Sequence, residues 1–139
     1  MGQNIVDICE HGGPTGVFIA SPRRGVTKIV TEADVENFAQ NMMAFILNDA
    51  PAGAAVVLDL GKTSAFSSAT FVTLIRAKRA LQESGAELHI ADVPPKVMKV
   101  LTDLLLTEVL SLHPAESAIE VAAHLRRDRI ASNGAGPAD

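Results

Sequence analysis

The stretch Ala54 to Leu60 is apolar at every position except Asp59. It shows no alternation of polar and apolar residues, so as a strand it must be covered on both faces. That requirement shapes the reading of the rest of the chain. Ile5 to Cys9 and Val17 to Ala20 read as two earlier strands, separated by a turn rich in Gly and Pro between Glu10 and Gly16. Ser21 to Lys28 reads as a connecting loop or a short edge segment, which Ile29 and Val30 either join or extend as a strand. Thr31 is placed to cap a first helix, with Asp34 three positions later where an acid favours the N-terminus. Val35, Phe38, Met42, Phe45 and Ile46 then follow helical spacing, and Pro51 and Gly53 end the run.

After the buried strand, Gly61 to Phe66 reads as a connection and Ser68 to Glu83 as a second helix with Phe71, Leu74, Ile75 and Leu81 inward. Lys78 falls in that arc and is expected to lay its stem along the edge. Gly85 stops the helix. Glu87 to Ala91 predicts another strand, and the pair Pro94 and Pro95 opens a helix carrying Val97, Val100, Leu101, Leu104 and Leu105. Val109 to Leu112 predicts an edge strand. Pro114 is expected to open the last helix, with Ile119, Ala122 and Leu125 inward, before a small, polar tail from Ser132. Strands and helices in alternation imply an α/β domain with a mostly parallel or mixed sheet.

The charge balance narrows the function classes. Twelve Lys and Arg face 16 Asp and Glu with no long run of one sign, which argues against nucleic acid as the main partner. Cys9 is the only cysteine, so the chain forms no internal disulfide and a reducing compartment is the simplest setting. The N-terminus has no basic segment followed by an apolar run, hence no signal peptide is expected. No apolar stretch reaches the roughly 18 residues of a membrane span.

Few residues suggest chemistry. Gly61-Lys62-Thr63 looks like the end of a phosphate-binding loop, but Val56 stands where that loop needs its first glycine, and no helix starts directly at Thr63. His11, His89, His113 and His124 are not read as metal ligands, and none has a histidine neighbour at a metal-ligand spacing in the chain. His89 reads as a packed or edge histidine, and no metal or cofactor is expected. No serine has the flanking glycines of a nucleophile elbow. Asp59 and Asp92 lie near the C-terminal ends of strands, where α/β sheets often bind ligands, but turn-forming acids are the favoured reading. Catalysis is therefore not expected. The richest segment is Thr63 to Thr70, which joins the buried strand to the second helix. Ser67 or Ser68 suits the N-cap, and a phosphate there would meet the positive end of the helix dipole.

Val56 to Leu60, the turn Ser67-Ser68-Ala69, the helix from Phe71 to Glu83 and Gly85 to Ile90 together resemble the STAS domain. That domain is shared by sulfate transporters and anti-sigma-factor antagonists. The likeness runs over Ala54 to Leu125, including the Pro95-Lys96-Val97 helix start and Val109 to His113, and is weaker from Ile5 to Asn48. It implies a single STAS-like α/β domain over residues 1–130, with a four- to five-stranded mixed sheet, about four helices and a disordered tail at 131–139. It also implies a cytoplasmic binding module without cofactors, whose partner is an anti-sigma factor with serine kinase activity. Antagonists of this family carry Asp-Ser-Ser-Gly or Asp-Ser-Thr-Gly at the turn, and the partner phosphorylates the serine after the aspartate. That serine aligns with Ser68, with Ser67 as the alternative acceptor. Ser67 replaces the aspartate and Thr70 the glycine. The implied partner surface comprises Ser67, Ser68, Ala69, Thr70, Val72, Thr73 and Arg76.

Overall fold

The computed structural model describes residues 4–12 and 15–135. Strands β1 (Val6–Glu10), β2 (Val17–Pro22), β4 (Ala55–Asp59), β6 (Glu87–Ala91) and β7 (Ser111–His113) form one five-stranded sheet in the order β1-β2-β4-β6-β7. β1 runs antiparallel to β2, and the other pairs are parallel. The mixed sheet and its five strands are as expected.

β4 is the central strand, and its sequence explains why. Val56 and Leu58 point into the main core with helices α1 (Glu32–Ala44), α2 (Ser68–Glu83) and α3 (Pro95–Asp103). Ala55 and Val57 point the other way, against Ala118, Val121 and Ala122 of α4 (Ala118–Ala135). With no polar face to turn to water, β4 is stable only between two layers.

The helix starts follow local chemistry. Thr31 caps α1, its side chain accepting from the Asp34 amide at 3.0 Å while Asp34 accepts from the Thr31 amide at 3.2 Å. Hydrogen bonding from Thr31, by side chain first and backbone second, holds the Asp34 carboxyl below its ordinary pKa. The helix passes into a π-helical turn at Phe45–Asp49 before Pro51. Phe38 and Met42 are buried, as are Phe45 and Ile46 in the π turn.

Several expectations need correction. The Gly61 to Phe66 connection contains a two-residue strand, β5 (Ala65–Phe66), which pairs in parallel with β3 (Lys28–Ile29). The edge strand begins at Ser111, because the amides of Val109 and Leu110 turn back to the Leu106 carbonyl. The last helix begins at Ala118, not Pro114. Ser117 and Glu120 form a reciprocal pair, side chain to amide at 3.1 and 3.2 Å, which is a capping box. Ala118, Val121 and Ala122 are buried, and Ile119, expected inward, is exposed. At the C-terminus α4 extends as far as Ala135, and residues 136–139 of the expected tail lie outside the described residues, as do Gly13 and Pro14 of the first turn.

The ends of α2 and α3 share one geometry with different residues. After α2 the Gly85 amide bonds the Gln82 carbonyl and the Ala86 amide bonds that of Leu81, with Gly85 at φ 76°. After α3 the Leu105 amide bonds Thr102 and the Leu106 amide bonds Leu101, with Leu105 at φ 59°. Both are Schellman motifs. Leu105 holds the left-handed position with a Cβ that glycine lacks, and it gains little in return because it is 82% exposed. Leu105→Gly is therefore expected to stabilise the fold by about 0.5–1 kcal/mol, the strain relieved exceeding the added freedom of the unfolded chain. A urea midpoint that falls would contradict this.

Candidate functional site

The turn after β4 is built by short-range bonds. Asp59 accepts from the Gly61 amide at 2.9 Å, and the Thr63 amide returns to the Leu60 carbonyl at 3.0 Å. Asp59 is thus a turn-forming acid, as favoured from the sequence. Asp92 also sits at a turn, with φ 52° and its amide shared between the carbonyls of His113 and Glu116. Thr63 is buried, and α2 begins five residues later, at Ser68. The Gly61-Lys62-Thr63 loop therefore lacks a helix start behind it to receive a phosphate.

The β3–β5 pair delivers the chain to the helix. The Ser67 amide bonds the Ile29 carbonyl at 2.8 Å, which locks the residue before the helix. Ser67 is the N-cap, its hydroxyl oxygen accepting from the Ala69 amide at 3.2 Å. Of the two serines left open by the sequence, Ser67 is thus committed to the cap and half-buried. Ser68 is the first helical residue, and its side chain is exposed. A substituent on Ser68 would project into solvent beside the free amides of the first turn, while one on Ser67 would cost the cap.

The N-terminal parts of α1 and α2 enclose a groove of about 630 Å³. Ser67, Ala69, Val72, Thr73 and Arg76 line one wall, and Val30, Glu32, Val35, Glu36 and Ala39 line the other. Five of the seven residues expected to meet a partner are therefore brought together. Val72 and Val30 leave apolar surface open at the groove, 52% and 44% exposed. Ser68 lies beside the groove rather than in its wall. Thr70 presents no surface: it is fully buried on the inner side of α2. The missed half of the groove is the α1 wall, where Glu32 and Glu36 stand one helical turn apart. Acids in the first turns of a helix are explained by the dipole alone, so the sequence carried no separate sign of them.

Thr70 has a further property. Its hydroxyl is buried with no hydrogen-bond partner. Val and Thr have similar shape and helix propensity, so Thr70→Val removes the unsatisfied group and little else. The expected result is a gain of about 1–2 kcal/mol in unfolding free energy, read from denaturant midpoints. No gain would mean that the hydroxyl finds a partner.

The family model for the STAS domain matches residues 28–119. No curated protein sequence matches the chain significantly. Among solved structures, the chain is similar to an anti-sigma-factor antagonist (STAS) domain protein from Planctomyces limnophilus, with 18% identity and a TM-score of 0.71, covering 86% of this chain and 97% of that one. It is also similar to a sulfate transporter family protein from Wolinella succinogenes, with 14% identity and a TM-score of 0.61, covering 83% and 90%. A third likeness is to the murine Solute Carrier 26 family member A9 anion transporter, with 14% identity and a TM-score of 0.62, covering 82% of this chain and 18% of the transporter. At these identities the likeness establishes the fold. Among the described residues, no helix is long and apolar enough to cross a membrane.

Proposed function

The chain belongs to the STAS domain family, and from that footing we propose that it is a cytoplasmic regulatory module of the anti-sigma-factor-antagonist kind. It works by binding a partner protein and not by catalysis. The partner is an anti-sigma factor with serine kinase activity, and it docks at the α1–α2 groove and the turn above it. Phosphorylation of Ser68 ends the complex. The observation that carries this reading is the division of labour between the two serines: Ser67 holds the helix end, and Ser68 stands exposed beside the groove. A phosphate on Ser68 adds about −1.5 to −2 charge at a helix N-terminus. The helix tolerates that charge, while a partner pressed against the same surface meets its bulk and its field.

The departures at Ser67 and Thr70 bear on this scheme in different ways. Ser67 replaces the family's aspartate but keeps an oxygen that caps the helix. Thr70 turns inward and leaves the outer surface unaltered.

The test is a pull-down from the native host with wild type and Ser68→Glu, the retained proteins being identified by mass spectrometry. Capture of a kinase-like ATPase by wild type and its loss with Ser68→Glu supports the switch. Equal capture of a transporter or scaffold protein by both would instead make the chain a constitutive adaptor. The likeness to transporter-family structures favours that second reading.

A further inference from the structure

The parallel pairing of β6 with β7 sets His89 opposite Ser111 and Ala91 opposite His113. Alternation along a strand then puts both histidines on the α4 side of the sheet, one diagonal step apart. Their rings meet there: His89 Nδ1 and His113 Nε2 face each other at 3.0 Å. The outer nitrogens face carboxylates. His89 Nε2 lies 2.9 Å from Glu87 Oε1, and His113 Nδ1 lies 3.6 Å from Glu116 Oε1. The first distance is a hydrogen bond; the second is too long for one and is an electrostatic contact, which favours an N–H on that nitrogen less strongly.

A carboxylate can only accept, and a neutral imidazole has a single N–H. With one proton turned inward the rings share an N–H···N hydrogen bond; with both turned outward, two lone pairs face each other across the gap. Such a gap wants a cation. We propose that His89 Nδ1 and His113 Nε2 bind a divalent transition metal ion of the zinc type, with Glu87 and Glu116 orienting the rings from behind. Imidazole nitrogen suits Zn²⁺, Ni²⁺ and Cu²⁺, and a carboxylate behind a ligating histidine is the usual way its tautomer and angle are fixed.

The geometry is close to what the ion needs. Zn–N bonds of 2.0–2.1 Å in a tetrahedral site set two nitrogens about 3.3 Å apart. The rings must part by a few tenths of an ångström and tilt toward a common point. β7 can follow, because it is a three-residue edge strand with one neighbour. Local charge favours a cation: Glu87, Glu116 and Asp128 border the site, against Arg129 at 3.9 Å from Glu87. Among the described residues no group of three His, Cys, Asp or Glu side chains is placed to hold an ion. The remaining positions therefore fall to water, for which the adjoining cavity of about 520 Å³ has room. The metal would fasten the edge strand to β6, and anything that binds only the folded state raises its stability.

The test uses the untagged, chelator-stripped chain, titrated with ZnCl₂ by calorimetry and by NMR of the imidazole nitrogens. One Zn²⁺ per chain is expected, with shifts at His89 Nδ1 and His113 Nε2. His89→Gln and His113→Gln should each weaken binding at least about tenfold, as loss of a ligand exceeds the effect of losing its outer partner. His124→Gln, whose Nε2 borders the same cavity 3.8 Å from Glu116 Oε2 but has no contact with either gap nitrogen among the described residues, should change it less than twofold. The wild-type shifts decide the matter even where a variant folds poorly. No shift of either nitrogen at millimolar Zn²⁺, or binding that survives both His→Gln changes, overturns the proposal and leaves a shared proton as the cation in the gap.

Discussion

Ser68→Glu is expected to weaken partner binding at least about tenfold, a loss of about 1.4 kcal/mol or more. A charge buried at an interface without a partner is costly, and the groove beside Ser68 already carries Glu32 and Glu36 on its α1 wall. A partner that accepts those two acids presents positive or polar groups to them. A further carboxylate on the opposite helix falls where Val72 and Ala69 supply apolar surface, and has nothing there to pair with. The fold should not suffer. An acid in the first turn of α2, which has none, interacts favourably with the dipole by about 0.3–1 kcal/mol. The urea midpoint of Ser68→Glu should therefore equal or exceed that of wild type. Ser67→Ala makes the useful contrast, since loss of the cap costs about 1 kcal/mol of stability without adding charge. If Ser68→Glu binds as tightly as wild type, the exposed serine is a helix residue and nothing more.

What the sequence disclosed depended on how local the cause was. β4, β6 and α2 lie within one or two residues of where they are expected, because an unbroken apolar run and a serine-to-glycine helical span are local facts. α4 was also locally encoded, in Ser117-Ala118-Ile119-Glu120, but Pro114 drew the expected start four residues early. Ile119 was a separate misreading, since Ala118, Val121 and Ala122 form the packed face. The β3–β5 pair was beyond reach, since it joins two-residue segments 37 positions apart whose partnership only the fold creates. The same holds for the histidines. Chain spacing sets His89 and His113 far apart, yet the β6–β7 register brings them ring to ring across 24 residues. The serine turn was legible in the sequence because the cap, Ser67, and the exposed Ser68 are adjacent in the chain. The α1 wall of the groove was not, because it comes from another helix.

The largest loss of stability is expected from Phe71→Ala, about 3–5 kcal/mol by the usual cost of emptying a buried aromatic site. Phe71 is 1% exposed. Its ring meets Phe66 with centroids 5.1 Å apart, and Phe66 meets Phe38 edge-on at 5.8 Å. This chain of three rings joins α1, β5 and α2, the elements that shape the groove and hold Ser67 at the helix end. A loss of that size is a large part of the 5–15 kcal/mol typical of a whole domain. Phe71→Leu keeps most of the volume and should cost less than about 1.5 kcal/mol. Val72, the next residue, points outward, and Val72→Ala should move stability by no more than about 0.5 kcal/mol. The same two residues separate fold from function. Val72→Ala should weaken partner capture at unchanged stability, because Val72 lines the groove and supports nothing beneath it. Phe71→Leu should do the reverse, lowering the urea midpoint while the partner still binds. A Phe71→Ala cost below about 1 kcal/mol would mean that the aromatic seam is loosely packed and cannot be what fixes the serine turn.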